Sequence, residues 1–255
     1  MQAPDALLNL TDQYLDRLEL TAELGAQQES MRYALEGGKR IRAVICLATA
    51  EAAGAEPEQA LTAAAAIELI HAFSLVHDDL PALDDDDERR GRPSAHIAFG
   101  EGIALLAGDA LLAEAFRLVL TYPTTEPARE LAAATLGMIG GQYLDITGGD
   151  TDLAELHRLK TGRLFAASVG LALWAAEVPA TEQVPWRAFG EELGMLFQVV
   201  DDVLDGDGYA ARLGVDAARR IAHDAAERAH SALEETPADT SVLRKIVDSL
   251  VVRAA

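Results

Sequence analysis

The sequence predicts an all-α protein, and three observations support that prediction. Of its 255 residues, 50% are hydrophobic but only 5% are aromatic, and much of the apolar content is alanine, the best helix former. The chain contains no alternating, β-branched runs of the kind that predict strands. Breaks rich in glycine and proline divide it into segments of helical length. No break is long enough to be an interdomain linker, so we expect residues 1–255 to form a single domain.

These breaks define the predicted helices in order. Amphipathic helices are expected at 5–21 and 30–36, and glycines at 37 and 38 end the second of them. The predicted helix at 57–80 begins with a proline and is apolar nearly all round, so it should be buried. A loop is expected at 81–100. The remaining helices are predicted at 39–53, 102–121, 127–147, 152–177, 186–205, about 210–235, and 238–253.

Charge and composition exclude several functional classes. A net charge of −21 argues against non-specific binding to nucleic acid or to an anionic membrane. Glu68 and His71 interrupt the most apolar run, so no uncharged stretch reaches the ~18 residues that a membrane span needs. The single cysteine, Cys46, excludes an internal disulfide and a cysteine-rich zinc site. Since the first residues show no signal-peptide core, we expect a cytoplasmic protein.

The predicted helix at 186–205 ends in the acidic segment FQVVDDVLD, which carries Asp201, Asp202 and Asp205. Asp201 and Asp205 are four residues apart and therefore share one helix face, with Gln198 close to one turn before them. Hard oxygen ligands suit Mg²⁺, which is often shared with phosphate oxygens. The alternative is an acidic surface loop. A surface loop does not explain why the three aspartates lie at the end of the helix, because a helix dipole disfavours acidic residues at its C-terminal end.

A second acidic segment follows the helix predicted at 57–80, where Asp78 and Asp79 precede Pro81. The proline breaks the helix and allows Asp84 to fold back toward Asp78. Alone, the acidic run at 84–88 would be typical of a solvated charge run. An EF-hand is disfavoured, because neither acidic segment has the required ligand spacing.

Basic residues lie close to these acidic segments in the sequence. They are Lys39, Arg40 and Arg42 after the Gly-Gly pair, Arg89 and Arg90 after the first acidic run, and Lys160 in HRLKTG. Each alone is typical of a solvated side chain, but together they provide the guanidinium and ammonium groups that bind a diphosphate. His71 lies on the same helical stripe as Asp78, although a lone histidine there is more typical of a core residue.

Six motifs, taken in order, resemble those of the trans-isoprenyl diphosphate synthases, specifically the short-chain type that makes farnesyl or geranylgeranyl diphosphate. They are GGKRIR at 37–42, HDDLPALDDDDERRGRPSAH at 77–96, GDALL at 108–112, GGQYLD at 140–145, KTG at 160–162 and FQVVDDVLD at 197–205. The resemblance runs from about residue 30 to residue 250. It implies an all-helical bundle around a deep central cavity, with the two aspartate motifs facing each other across its mouth.

The resemblance also implies a role for each matched residue. The expected Mg²⁺ ligands are Asp78, Asp79, Asp84, Asp201, Asp202 and Asp205. All of them except Asp205, together with Lys160, are also the expected catalytic residues. The expected contacts to isopentenyl diphosphate are Lys39, Arg42, His71 and Arg90. Arg89, Lys160, Thr161 and Gln198 match positions near the allylic substrate, which is dimethylallyl or geranyl diphosphate. Phe73, beside Ser74, resembles the aromatic floor that limits products to farnesyl length.

The reaction implied by the resemblance is the Mg²⁺-dependent head-to-tail condensation of isopentenyl diphosphate with an allylic diphosphate. Farnesyl diphosphate is the expected product, with geranyl or geranylgeranyl diphosphate as alternatives, and a homodimer is expected. A terpene cyclase is disfavoured because a second aspartate motif replaces the metal triad of cyclases. A non-catalytic partner subunit of a prenyltransferase stays open as an alternative. The loop after Asp205 is shorter than the family pattern and lacks its lysines.

Overall fold

The computed structural model describes residues 1–148 and 152–254 and confirms the all-α prediction. The helices are α1 Pro4–Arg17, α2 Gln27–Leu35, α3 Ile41–Ala52, α4 Pro57–Asp78, α5 Ala95–Phe99, α6 Glu101–Val119, α7 Glu126–Thr147, α8 Leu153–His157, α9 Arg163–Ala175, α10 Val184–Asp205, α11 Gly208–Leu213, α12 Val215–Glu234 and α13 Ser241–Ala254. Single turns of 3₁₀-helix lie at Ala22–Leu24 and Ala180–Glu182. A π-helical turn spans Arg158–Gly162. Strands β1 Glu88–Arg89 and β2 Arg92–Pro93 form a small antiparallel hairpin.

Helix α4 lies at the centre of the bundle and packs against α3, α6 and α9. Every side chain from Ala63 to Ile70 is buried, which confirms the prediction drawn from its all-round apolar surface. The four consecutive alanines at 63–66 have short side chains, so neighbouring helices can approach α4 closely. By length and composition α4 could also cross a membrane, but 67% of that stretch is buried inside the protein.

The segment predicted as one helix over 152–177 contains a π-helical turn between α8 and α9. The turn lies against α7, where Gly141 meets the backbone of Lys160. A Cβ atom at Gly141 would lie 2.3 Å from the Lys160 nitrogen. The absence of a side chain therefore permits a backbone contact that displaces the helix from regular geometry. Such π-bulges occur frequently at functional sites.

The segment predicted as a loop over 81–100 folds back onto the end of α4 and contains the hairpin and α5. The Asp84 amide donates to the Asp78 carbonyl at 2.8 Å, and the Asp86 amide donates to the Asp79 carbonyl at 3.2 Å. These bonds satisfy carbonyls that the end of a helix leaves unpaired. The return of Asp84 toward Asp78 was predicted from the proline break.

Two further boundaries differ from the predictions. The helix predicted at about 210–235 is divided at Gly214, whose φ of +86° lies in the region that favours glycine. The first helix ends at Arg17 rather than at residue 21. The chain after it is extended and buries both Leu18 and Leu20, which a continued helix would place on different faces.

Candidate active site

A largely apolar cavity of about 370 Å³ lies beside the C-terminal half of α4. Helix α4 provides His71, Phe73, Ser74 and Asp78 to its wall, and α7 provides mainly apolar side chains together with Gln142. Lys160 and Thr161 reach the same cavity from the π-helical turn. The cavity therefore combines apolar walls with a few polar groups, which is the usual composition of a small-molecule site.

A second cavity, of about 660 Å³, adjoins the first and is rich in cations. Lys39, Arg40, Arg42, Arg90 and Arg253 line it, and Glu68 is its one acidic lining residue among those that the structure describes. Two residues, Arg42 and His71, line both cavities. An anionic group in the cationic cavity would therefore lie next to an apolar group in the other.

The cationic cavity is shaped by the turn before α3. Arg40 adopts a φ of +48° and is buried, with its Nε 2.9 Å from the Asp12 carboxylate and Nη1 3.5 Å from Glu68. The other Glu68 oxygen accepts a hydrogen bond from the Ala43 amide at 3.2 Å. Arg40 is thus turned inward as a structural cation, and its neighbour Lys39 is exposed at the cavity.

The same turn also places Arg90. A Cβ atom at Gly38 would lie 2.9 Å from the Arg90 guanidinium, so the bare backbone makes room for that group. Arg90 donates to the carbonyls of Glu36 and Gly37 at 3.3 and 3.2 Å. The GGKRIR motif and Arg90 therefore meet in space.

Burial sets the protonation of the two residues shared by both cavities. It lowers the pKa of Arg42 to about 10, against the opposing effects of Glu68 and Asp201, so Arg42 remains charged at neutral pH. Its guanidinium lies 4.5 Å from the centre of the Phe165 ring. Burial, followed by nearby arginines, lowers the pKa of His71 well below its usual value. His71 is therefore a neutral imidazole at pH 7.

The first aspartate motif divides into two environments. Asp79 is 3% exposed and accepts a hydrogen bond from Arg89 Nε at 2.9 Å. Asp78 and Asp84 make no side-chain hydrogen bond or ion pair with any residue that the structure describes. Burial raises the pKa of Asp78 to about 6, with smaller contributions from Asp84 and Asp79, and Lys160 opposes the shift. Asp78 therefore lies half-buried at the cavity wall, where a bound cation would favour its ionised form.

The second aspartate motif divides in the same way. Asp202 is 1% exposed and accepts hydrogen bonds from Gln198 Nε2 and from the Tyr209 amide, both at 2.8 Å. Gln198 in turn accepts a hydrogen bond from the Thr161 hydroxyl. Asp201 is half-buried, and Asp205 is exposed on the last turn of α10. Neither of these carboxylates has a hydrogen-bond or ion-pair partner among the described residues.

Arg42 connects the surroundings of the two aspartate motifs. Burial raises the pKa of Asp201, and the cations Arg253, Arg42 and Lys39 oppose that shift. Arg42 also lines the apolar cavity together with Asp78 and Lys160. Lys160 forms an ion pair with Asp145, which ends the GGQYLD motif. The structure thus gathers residues from five separate motifs around two joined cavities.

The free carboxylates have the donor chemistry that Mg²⁺ requires. In residues 1–148 and 152–254, no group of three or more His, Cys, Asp or Glu side chains could hold a metal ion alone. Mg²⁺ commonly binds through one or two carboxylates and completes its coordination with waters and substrate phosphates. Asp78, Asp84, Asp201 and Asp205 therefore fit a metal that binds together with a diphosphate.

Some residues of the site had no predicted role. Both amide atoms of Gln142 are buried in the cavity wall without a hydrogen-bond partner in the described part of the chain, although its motif was recognised. Glu68 was noted only as a charge that interrupts an apolar run, yet that interruption was the available signal of a buried ion pair. Arg253 belongs to none of the six motifs, and no sequence signal indicated it.

Comparisons with known proteins agree with the fold and the site. The polyprenyl synthetase family model matches residues 26–249, and the chain belongs to that family. Within it, the chain is a short-chain trans-isoprenyl diphosphate synthase and therefore a prenyltransferase, which confirms the resemblance drawn from the motifs.

Two curated relatives and one solved structure illustrate the similarity. The chain is 42% identical over 202 residues to a geranylgeranyl diphosphate synthase of Cyanophora paradoxa, covering 73% of this chain and 67% of the relative. It is 38% identical over 264 residues to the farnesyl diphosphate synthase of Escherichia coli, covering 88% of each. The crystal structure of an FPP/GFPP synthase from Zymomonas mobilis has a TM-score of 0.87 and 31% identity, covering 97% of this chain and 99% of that one. Because these names include several products, they do not determine product length.

Proposed function

We propose that this prenyltransferase joins isopentenyl diphosphate head to tail to an allylic diphosphate, with Mg²⁺ held by the two aspartate motifs. The observation that carries the proposal is the pair of adjoining cavities. One is apolar and suits a prenyl chain, and the other is cationic and suits a diphosphate. Arg42 and His71 line both, so the reacting ends of two substrates can meet at their junction.

Each part of the site has a role in this reaction. Lys39, Arg42 and Arg90 bind the diphosphate of isopentenyl diphosphate, and the neutral His71 adds a hydrogen-bonding group without repelling those cations. Lys160 is placed to bind the allylic diphosphate beside Asp78. The apolar walls exclude water that would react with an allylic cation.

The metal would be held by Asp78, Asp84, Asp201 and Asp205, whose carboxylates are free of other partners among the described residues. When bound, Mg²⁺ supplies Lewis-acid stabilisation of the charge that develops on the leaving diphosphate. Asp202 holds Gln198, and Gln198 holds the Thr161 hydroxyl at the cavity wall. In this arrangement Asp79 and Asp202 act by orienting Arg89 and Gln198, and the other aspartates bind the metal.

We propose farnesyl diphosphate as the product, because Phe73 lies in the wall of the apolar cavity with Ser74. The Phe73 side chain is 6% exposed, and its ring packs edge-on against His77 at 4.9 Å between ring centres. A well-packed aromatic ring is a stiff barrier to a growing chain.

A homodimer in the cytoplasm is also proposed. Large apolar side chains remain exposed on α6 and α7, including Leu106 at 56%, Leu136 at 70% and Tyr143 at 65%. Exposed apolar patches of this kind mark interaction surfaces. The single buried cysteine is compatible with a reducing compartment.

The decisive experiment incubates the protein with Mg²⁺, labelled isopentenyl diphosphate and, in turn, dimethylallyl, geranyl or farnesyl diphosphate. Elongation of any primer supports the proposal, and the longest product gives the chain length. A cyclised hydrocarbon would identify a cyclase instead. Failure with all three primers would favour the second candidate, a non-catalytic partner subunit. The observation that favours this candidate is the short connection after Asp205, where only two residues separate α10 from α11.

A further inference from the structure

We propose that Arg253, on the last described helix α13, is a further binding residue for the diphosphate of isopentenyl diphosphate. This inference rests on the proposed function and adds a residue to its cationic cavity. The family match ends at residue 249, so Arg253 lies outside the matched segment. Its assignment therefore comes from the geometry of this chain.

The position of Arg253 is the first observation. Helix α13 provides Ser249, Leu250 and Arg253 to the lining of the cationic cavity. Ser249 and Leu250 lie four and three positions before Arg253, so each shares a helix face with it. Lys39, Arg42 and Arg90 line the same cavity. A diphosphate bound among those three groups would therefore also lie next to the Arg253 face of α13.

The second observation is that three cations of this cavity, Lys39, Arg42 and Arg253, form no ion pair with any described residue. Arg253 and Lys39 make no hydrogen bond or ion pair with any residue that the structure describes. Arg42 is only 9% exposed, and its buried Nε also has no hydrogen-bond partner in the described part of the chain. Glu68, the acidic lining residue, is already bound to Arg40 and to the Ala43 amide. Lys39 and Arg253 are exposed, so their charged groups are open to an anionic ligand, and a bound anion would also satisfy the buried Nε of Arg42.

The third observation is that the end of α13 is held in place. The side chain of Ala254 is buried, and its carbonyl accepts a hydrogen bond from Arg219 Nε at 2.7 Å. Helix α13 also packs against α3, α10 and α12. Arg253 therefore extends from a restrained backbone, which reduces the entropy lost when it binds a ligand.

Arg244, on the same helix, provides a matched control. Its guanidinium lies 3.5 Å from Glu234 and donates to the Thr240 hydroxyl at 3.3 Å, so it is occupied by the protein. It does not line the cationic cavity. Replacing either arginine with glutamine removes one positive charge from α13, but only Arg253→Gln removes it from the cavity.

The test measures steady-state kinetics of the full chain with geranyl diphosphate and isopentenyl diphosphate. We expect Arg253→Gln to raise the KM for isopentenyl diphosphate by about tenfold, since a charge-assisted hydrogen bond to phosphate is lost. The KM for geranyl diphosphate should stay within about twofold. The KM of Arg253→Lys for isopentenyl diphosphate should lie between those of the wild type and Arg253→Gln, because lysine keeps the charge and lacks the planar guanidinium. Arg244→Gln should match the wild type.

A binding measurement separates this inference from the proposed function. Calorimetric titration of the wild type and Arg253→Gln with isopentenyl diphosphate alone requires no turnover. Weaker binding to the variant, with an unchanged melting temperature, supports the inference even if no primer is elongated. Equal affinity of both proteins, or an equal loss in Arg244→Gln, would overturn it. If the wild type elongates a primer and Arg253→Gln has the same KM values as the wild type, the role of Arg253 is wrong and the proposed function stands.

Discussion

The most informative perturbation of the site lies at Gly141, which meets the π-helical turn of the active site. A Cβ atom at this position would lie 2.3 Å from the Lys160 nitrogen and 2.6 Å from its Cα. Ordinary contacts begin at 3.4 Å, so Gly141→Ala must move α7 and the turn apart by about 1 Å. Both atoms belong to the backbone, so no side-chain rotation relieves the clash.

The consequences for stability and for catalysis can be estimated separately. Overpacking of this kind costs about 1–3 kcal/mol. In a chain of this size each kcal/mol lowers the melting temperature by about 2–4 °C. Because the turn carries Lys160 and Thr161, the same shift displaces two cavity residues. A misplacement of about 1 Å at a reacting centre can cost about 100-fold in rate, which is the loss in kcat that we expect.

Gly140 provides the matched control, since it is the adjacent residue in the same motif. A Cβ atom there would meet nothing within 4 Å among the described residues outside its own helical turn. Gly140→Ala should therefore gain up to about 1 kcal/mol of helix stability and keep its kcat. Thermal melts monitored by circular dichroism, turnover with geranyl diphosphate, and light scattering to check the oligomeric state would compare the pair. If Gly141→Ala melted and turned over like Gly140→Ala, the proposed contact between α7 and the turn would be wrong.

Three further predictions address other parts of the structure. Phe73→Ala should lengthen the product, measured by mass spectrometry. Val76 is buried on α4 but does not line the apolar cavity, so Val76→Ala should leave the product unchanged. An unchanged product in Phe73→Ala would exclude this ring as the floor. Glu68→Ala should lower the melting temperature by roughly 10 °C, because breaking a buried ion pair costs about 3–5 kcal/mol and removes the acidic partner of Arg40 Nη1. The exposed Glu235→Ala should melt like the wild type, and the same result in Glu68→Ala would contradict the structural role of this pair. The Cys46 thiol should resist alkylation at pH 9, since burial raises its pKa and closes it to reagents, and should react fully in guanidinium chloride. Rapid labelling of the folded protein would show that α3 opens locally.

Much of the active site was predictable because its chemistry is local in the sequence. The proline break correctly predicted the return of Asp84 to Asp78. The metal predicted from two acidic segments at the unfavourable end of helix dipoles stays a prediction. The all-round apolar surface of α4 correctly predicted its burial. These inferences need only helical periodicity, dipole direction and turn chemistry, which a single sequence contains.

Features that depend on contacts between distant segments could not be predicted. Asp78 and Asp79 are adjacent and chemically identical, yet one faces the cavity and the other is buried against Arg89. The π-helical turn forms because Gly141 approaches Lys160 from another helix, and local propensity over 152–177 gives no sign of it. Arg253 reaches the cationic cavity only because α13 folds back against α3 and α10.

The central claim is that Asp78, Asp84, Asp201 and Asp205 bind the metal, whereas Asp79 and Asp202 orient neighbouring side chains. The Mg²⁺ dependence of turnover tests it most directly. Asp78→Asn and Asp201→Asn keep the size of each side chain and remove one proposed metal ligand. Both should melt within a few degrees of the wild type. Both should also lose at least about 100-fold in kcat, corresponding to about 3 kcal/mol of transition-state stabilisation, with partial recovery at high Mg²⁺. Wild-type turnover at ordinary Mg²⁺ in either variant would contradict the assignment of these two carboxylates to the metal.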